Sequence, residues 1–203
     1  MYRLSEKKTV KTIITAMLFC FLLVGCGTFN PADAEVSTIS IDKEENITSV
    51  VVDSFEQDYY DLEELRTMIN SEISSFNIEY GEGCASLEDL TQEDGQVKMV
   101  MKYSSASNYS HFNQIALFYG TVSEALMRGY DLSVDFYNTD GEQVSAEDIS
   151  SLSEQHIVIT ADNSNIDTPY KIKYMTSGVT LNGSSEAILP ETSDGNVYLI
   201  LEK

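Results

Sequence analysis

DLEELRTMINSEISSFNIEYG, residues 61–81, decides the fold class of this chain. Leu62, Leu65, Ile69, Ile73, Phe76 and Tyr80 recur at three- and four-residue steps, which places them along one face of an α-helix. Asp61 is a favourable N-cap, Glu64 stands three residues on as its capping-box partner, Tyr60 is placed to staple onto Leu65, and Gly81 supplies the stop. The spacing predicts an amphipathic helix of about five turns, packed by its apolar stripe against a sheet. The acidic entrance of Asp58, Asp61, Glu63 and Glu64 has the look of a metal or acid–base cluster. First-turn acids also complement the helix dipole, an account that needs no ligand.

On both sides of the helix the pattern changes to period two. Upstream, residues 36–42 place Ile39 and Ile41 two apart, residues 43–46 form a polar turn, and residues 47–55 are β-branched around Val50, Val51 and Val52. This reads as a hairpin whose second strand is the more buried. Downstream, residues 84–90 and 96–103 flank Thr91 to Gly95, and the Asp94-Gly95 step marks a second hairpin. Val97, Met99, Met101 and Tyr103 share one face of its second strand, and Lys98 and Lys102 the other, with Glu88 as cross-strand partner.

In residues 104–120, Tyr109, Phe112, Ile115, Ala116 and Tyr119 fit a helical face, and Thr121 to Glu124 form a capping box for a second helix ending at Gly129. A helix, a break and a helix are expected. Beyond, Leu132, Val134 and Phe136 alternate, residues 138–141 turn, Ser145 opens a single helical turn, and residues 156–160 form a buried strand. Tyr170, Ile172 and Tyr174 alternate, and residues 197–201 form a last apolar strand inside the sheet. The expected architecture is α+β: a single domain over residues 36–203, mainly an antiparallel sheet of hairpins with two or three helices packed on it.

The N-terminus reads differently. Arg3, Lys7, Lys8 and Lys11 precede an uncharged apolar run from Thr12 to Gly25, too short for a stable bilayer span, as in a secretory signal. It ends in Leu23-Val24-Gly25-Cys26, which resembles the lipobox of bacterial lipoproteins. That resemblance implies removal of residues 1–25 and a diacylglyceryl, palmitate-type anchor on the Cys26 thiol. It also implies an extracytoplasmic position on the cell membrane, held through the lipid; two acyl chains anchor durably. Residues 26–35 are small and polar with Pro31, as in a flexible tether. The lipobox together with residues 58–65 and 120–125 resembles small uncharacterised lipoproteins of Gram-positive anaerobes, a likeness that implies no catalytic residue.

Composition bounds the partners. With 33 acidic and 12 basic residues the net charge is −21, and loss of the signal, which holds four of the bases and one acid, makes the chain more acidic. Such a surface disfavours nucleic acid and anionic lipid, and suits cationic partners or divalent metal. After cleavage, with Cys26 lipidated, Cys84 is the sole free thiol, expected as a buried structural cysteine. There is no G-x-S-x-G, H-E-x-x-H, C-x-x-C, Walker or G-x-G-x-x-G motif, so no catalytic residue is assigned and no cofactor is expected. Asp162, Asn165 and Asp167 have oxygen ligands suited to calcium, but their spacing departs from the EF-hand template and fits a polar connector held by Asx turns. Tyr59, Tyr60, Tyr109, Tyr119, Tyr130 and Tyr137 fall at element ends, where rings suit a groove for a sugar or a peptide. The functional expectation is a membrane-anchored binding or assembly module at the cell envelope, with a protein or glycan partner. An extracytoplasmic hydrolase using unassigned carboxylates and a small solute- or glycan-binding receptor are the alternatives.

Overall fold

The two predicted hairpins lie side by side in one sheet. In the computed structural model, which describes residues 29–190 and 195–202, β1 (Thr38–Ile41) pairs antiparallel with β2 (Ile47–Ser54). Asp42 closes their turn, its Oδ1 accepting from the backbone N–H groups of Glu44 and Asn46, each at 2.9 Å. Burial is the reverse of the expectation: all four residues of β1 are buried, while β2 emerges into solvent at Asp53 and Ser54. The reason is position. β1 is enclosed between β2 and β9 (Asn165–Asp167), to which it runs parallel.

β3 (Ala85–Glu93) and β4 (Gln96–Tyr103) meet at a two-residue turn, with Asp94 at φ 49° and Gly95 at φ 77°. The turn is tighter than the expected Thr91–Gly95 loop, because two left-handed residues match the strand twist and let the ladder run to its end. Lys102 pairs with Glu88 at 3.1 Å as expected, whereas Lys98 donates to the Ala32 carbonyl at 2.9 Å. The compact unit accordingly begins at Pro31, so the last residues of the anticipated 26–35 tether belong to the domain.

Helix α1 (Leu62–Tyr80) forms as its periodicity predicts. Asp61 accepts from the N–H groups of Glu63 and Glu64, Ile69, Ile73 and Phe76 are buried, and Gly81 ends the helix at φ 124°. Asn77 ties it to β3 by exchanging two hydrogen bonds with the backbone of Ala85, at 2.9 and 3.0 Å. With β11 (Thr180–Asn182) and β12 (Glu186–Ile188), the first sheet runs β11-β12-β9-β1-β2-β4-β3.

The second sheet runs β5 (Leu117–Thr121), β8 (His156–Thr160), β13 (Val197–Glu202), β10 (Lys171–Thr176), β6 (Phe136–Asn138) and β7 (Gln143–Val144). One face shares a core with α1 and the first sheet through Leu117, Val158, Leu199 and Leu201. The other is covered by α3 (Val122–Met127) and α4 (Ala146–Ser151), over Phe118, Ile157, Ile159, Phe136 and Ile200. Burial on both faces explains why β8 and β13 read as continuous apolar runs.

Two expectations are corrected here. The helix–break–helix region is a helix, a strand and a helix: α2 (Ala106–Asn113) stops at Gln114, φ 57°, and Leu117–Thr121 extend as β5 against β8. The five-residue apolar run over residues 115–119 is too short to show a period of its own, and its partner strand lies far along the chain. The alternation of Tyr170, Ile172 and Tyr174 breaks at a bulge between the last two. Ile172 and Met175 enter the inter-sheet core, and Tyr174 packs on the α3/α4 side.

Candidate functional site

β5 is an edge strand, and its open side forms the floor of a groove of about 370 Å³, within the range of small-ligand sites. One wall is the start of α2, with Ser105, Ala106, Ser107 and Ser110; the other holds Phe118, Arg128 and Tyr130, and Glu45 reaches in from the β1–β2 turn.

Hydrogen bonding shows which way each residue of the edge points. Ala116 accepts from Ala161 N–H at 3.0 Å, on the β8 side, and alternation along the strand then turns Leu117, Tyr119 and Thr121 outward. Leu117 is closed by α2, since Ser110 Oγ accepts its N–H at 2.8 Å and lies 2.9 Å from its carbonyl oxygen. The Thr121 N–H is taken by the Glu124 carboxylate at 2.7 Å, one half of the capping box that starts α3. Between these capped positions the Tyr119 N–H and C=O form one open rung, with no hydrogen-bond partner among the described residues. Edge strands are commonly blunted to stop chain-to-chain pairing, and here the blunting leaves a single residue free.

The side chains around that rung are polar and of mixed charge. Arg128 is exposed, its guanidinium carbon 5.0 Å from the centre of the Phe118 ring, and it makes no ion pair among the described residues. Tyr130 packs on the same Phe118 ring at 5.2 Å. The Glu124 carboxyl is held below its ordinary range by the Thr121 backbone N–H and then by the Thr121 hydroxyl. Tyr119 is half-buried, with its ring 5.1 Å from that of His156. Burial, and then Tyr170, Glu45 and Asp42, push its hydroxyl far up, which keeps it a neutral hydrogen-bonding group. The arrangement offers one cation, the carboxylates of Glu45 and Glu124, several hydroxyls and an unused backbone donor–acceptor pair, which together suit recognition of a polar ligand.

Of the tyrosines expected to form a binding face, Tyr119 and Tyr130 come together in this groove. Tyr109 does not contribute a ring: it is 4% exposed, with its hydroxyl donating to Asp162 at 2.6 Å and its ring edge-on to Tyr103, because α2 turns that face into the inter-sheet core. Tyr59 and Tyr60 form a separate surface patch before α1, 76% and 45% exposed, with Tyr60 also against Phe55 at 4.8 Å. Tyr137 lines a different depression beside Asn138, Thr139 and residues 175–181. Glu45, Ser110 and Arg128 carried no local signal. Arg128 is prominent only because bases are scarce, and Ser110 depends on the strand that follows it.

The residues with oxygen ligands are each engaged separately. Asp162 accepts from Tyr109, the Asn165 amide lies 3.5 Å from Glu186, and Asp167 accepts from Ser40 at 2.8 Å. No cluster of three or more His, Cys, Asp or Glu suited to a metal occurs among the described residues. The anticipated polar connector is partly strand, with Asn165–Asp167 paired to both β1 and β12. Burial pushes the Asp167 carboxyl upward, the Ser40 hydrogen bond opposes this, and the Glu186 charge adds to the rise. A carboxyl whose folded pKa lies above its unfolded value binds its proton more tightly when folded, so its charge opposes folding at neutral pH. Asp167→Asn is therefore expected to be at least as stable as the parent at pH 7 in urea denaturation. The parent should gain on the variant as pH falls through the carboxylate range. Cys84 is half-buried rather than buried, its thiol donating to the Tyr80 carbonyl at 3.3 Å.

Residues 1–28, which include Leu23, Val24, Gly25 and Cys26, lie outside the described residues; among those described, no helix is long and apolar enough to cross a membrane. Comparison with known proteins finds no family, no curated protein and no solved structure that matches this chain.

Proposed function

We propose that this chain is a lipid-anchored, extracytoplasmic binding module that holds a polar ligand in the groove along β5. The observation that carries the binding role is the lone open rung at Tyr119, set between two capped positions and beside the exposed cation of Arg128. The anchor is supported by the lipobox Leu23-Val24-Gly25-Cys26 after a basic and then apolar segment.

Both halves are testable in the source cell. Cys26→Ser is expected to move the protein from the membrane fraction to the soluble or secreted fraction, and membrane retention equal to wild type contradicts the lipid anchor. For the groove, Ser107→Trp places a large ring at an exposed wall position. Wild-type and variant chains, immobilised and exposed to solubilised envelope and culture supernatant, are expected to differ by loss of the retained ligand in the variant. An unchanged set of bound molecules contradicts this use of the groove.

A further inference from the structure

We infer that the groove captures the free C-terminal end of an extended peptide, whose last residue pairs with Tyr119 and whose carboxylate meets Arg128. This deepens the preceding reading and rests on it. The physical basis is the length of the open edge. In an antiparallel pair, outward-facing hydrogen-bonding positions recur every second residue, so an added strand would need Leu117, Tyr119 and Thr121 in turn. Ser110 occupies the first and Glu124 the third. A peptide can therefore add one residue, and a chain that pairs through one residue must either turn away or end there. A chain end fits without a turn: its last N–H donates to the Tyr119 carbonyl, and a carboxylate oxygen accepts from the Tyr119 N–H.

Charge supports the choice of a terminal carboxylate over an ordinary peptide carbonyl. The chain carries 33 acids against 12 bases, so an anion is drawn only to a local cation. Arg128 is one, without an ion pair among the described residues, held over Phe118, the neighbour of Tyr119, with the Glu124 carboxylate within electrostatic reach. A guanidinium fork matches a carboxylate. Glu45 lines the same groove and disfavours a second acidic group, which selects a ligand neutral or basic upstream of its terminus. The small residues Ala106 and Ser107 on the facing wall leave room for the backbone of the incoming strand.

The probe is acetyl-Ala-Ala-Ala-Ala with a free carboxylate, titrated into the full chain in detergent micelles labelled with [15N]tyrosine, following the Tyr119 amide resonance. The free acid is expected to shift that resonance. Its C-terminal amide, and the acid N-methylated at the last residue, are each expected to bind about tenfold more weakly or worse, the worth of one charge-assisted hydrogen bond. Arg128→Gln should lower affinity for the acid by a similar factor while leaving affinity for the amide unchanged, and Arg128→Lys should retain part of the difference. Equal binding of acid and amide overturns the inference. So do an unmoved Tyr119 resonance at about 10 mM peptide, a concentration that still reveals weak complexes, and N-acetylglucosamine binding at Tyr119 as well as the acid. If these peptides fail while Ser107→Trp still abolishes ligand retention, the groove is a binding site for another chemistry and only the peptide assignment falls. If both fail, the binding role falls too.

Discussion

Truncation before Val197 is expected to abolish cooperative folding. The strand it removes, β13, lies between β8 and β10 and has five of its six residues buried. Its side chains serve both cores at once: Val197, Leu199 and Leu201 face the first sheet and α1, while Tyr198 and Ile200 face α3 and α4. At about 1.5–3 kcal/mol for each large apolar side chain, their loss is on the order of 10 kcal/mol, comparable to the whole stability of a domain. The truncation also opens the ladders from Val197 to Ile200 against β8 and from Leu199 to Glu202 against β10, leaving buried backbone groups without partners. Urea titration followed by circular dichroism should show no sigmoidal transition in the truncated chain. A cooperative transition near the wild-type midpoint would mean that the two sheets hold without their shared strand.

Phe136→Ala is the point substitution expected to cost most. Phe136 is 0% exposed, meets Tyr198 edge-on at 6.0 Å, and fills the space beneath α3 and α4 with Val122, Leu132 and Ile149. Aromatic-to-alanine changes in such a core cost about 3–5 kcal/mol, because the cavity collapses only in part. For a domain of this size that corresponds to a fall in Tm of roughly 10 °C. β6, which carries Phe136, and β5, which carries the groove, lie at opposite sides of the second sheet. Below its lowered Tm the variant should therefore still bind ligand at Tyr119. Calorimetry and the peptide titration together test this. Loss of binding at unchanged Tm would place Phe136 in the site, contrary to its position.

Local patterns were informative wherever an element's surroundings are uniform. Leu62 to Tyr80 keep one face on the sheet over the whole helix, so periodicity alone finds α1. Ile157 to Ile159 and Val197 to Leu201 are apolar without interruption because both faces are covered. Patterns misled where the surroundings change within a few residues. Leu117 to Gly120 sit between a helix and a capping box, and their run is too short to show a period of two or of 3.6. Asn165 to Asp167 are polar and look like a connector; they extend because β1 pairs with them across 127 positions of chain, as between Ser40 and Asp167. Tyr109 and Tyr119 both fit the helical face expected of residues 104–120, yet α2 turns Tyr109 inward to Asp162 while Tyr119 lies on β5.

Read alone, the chain determined its α+β class, the helix behind Asp61, the turn at Asp94-Gly95, the two apolar strands and its acidity. Each of these rests on residues within a few positions of one another, where propensity, capping and alternation act. Tertiary structure alone decided that the strands divide into two sheets, that β1 is enclosed by a parallel neighbour, and that β5 is an edge. It also decided that Ser110 and Glu124 close two outward positions of β5 and leave Tyr119 between them, near Arg128. These follow from pairing between distant segments, whose register is set by the packing of two cores and leaves no period in the chain itself.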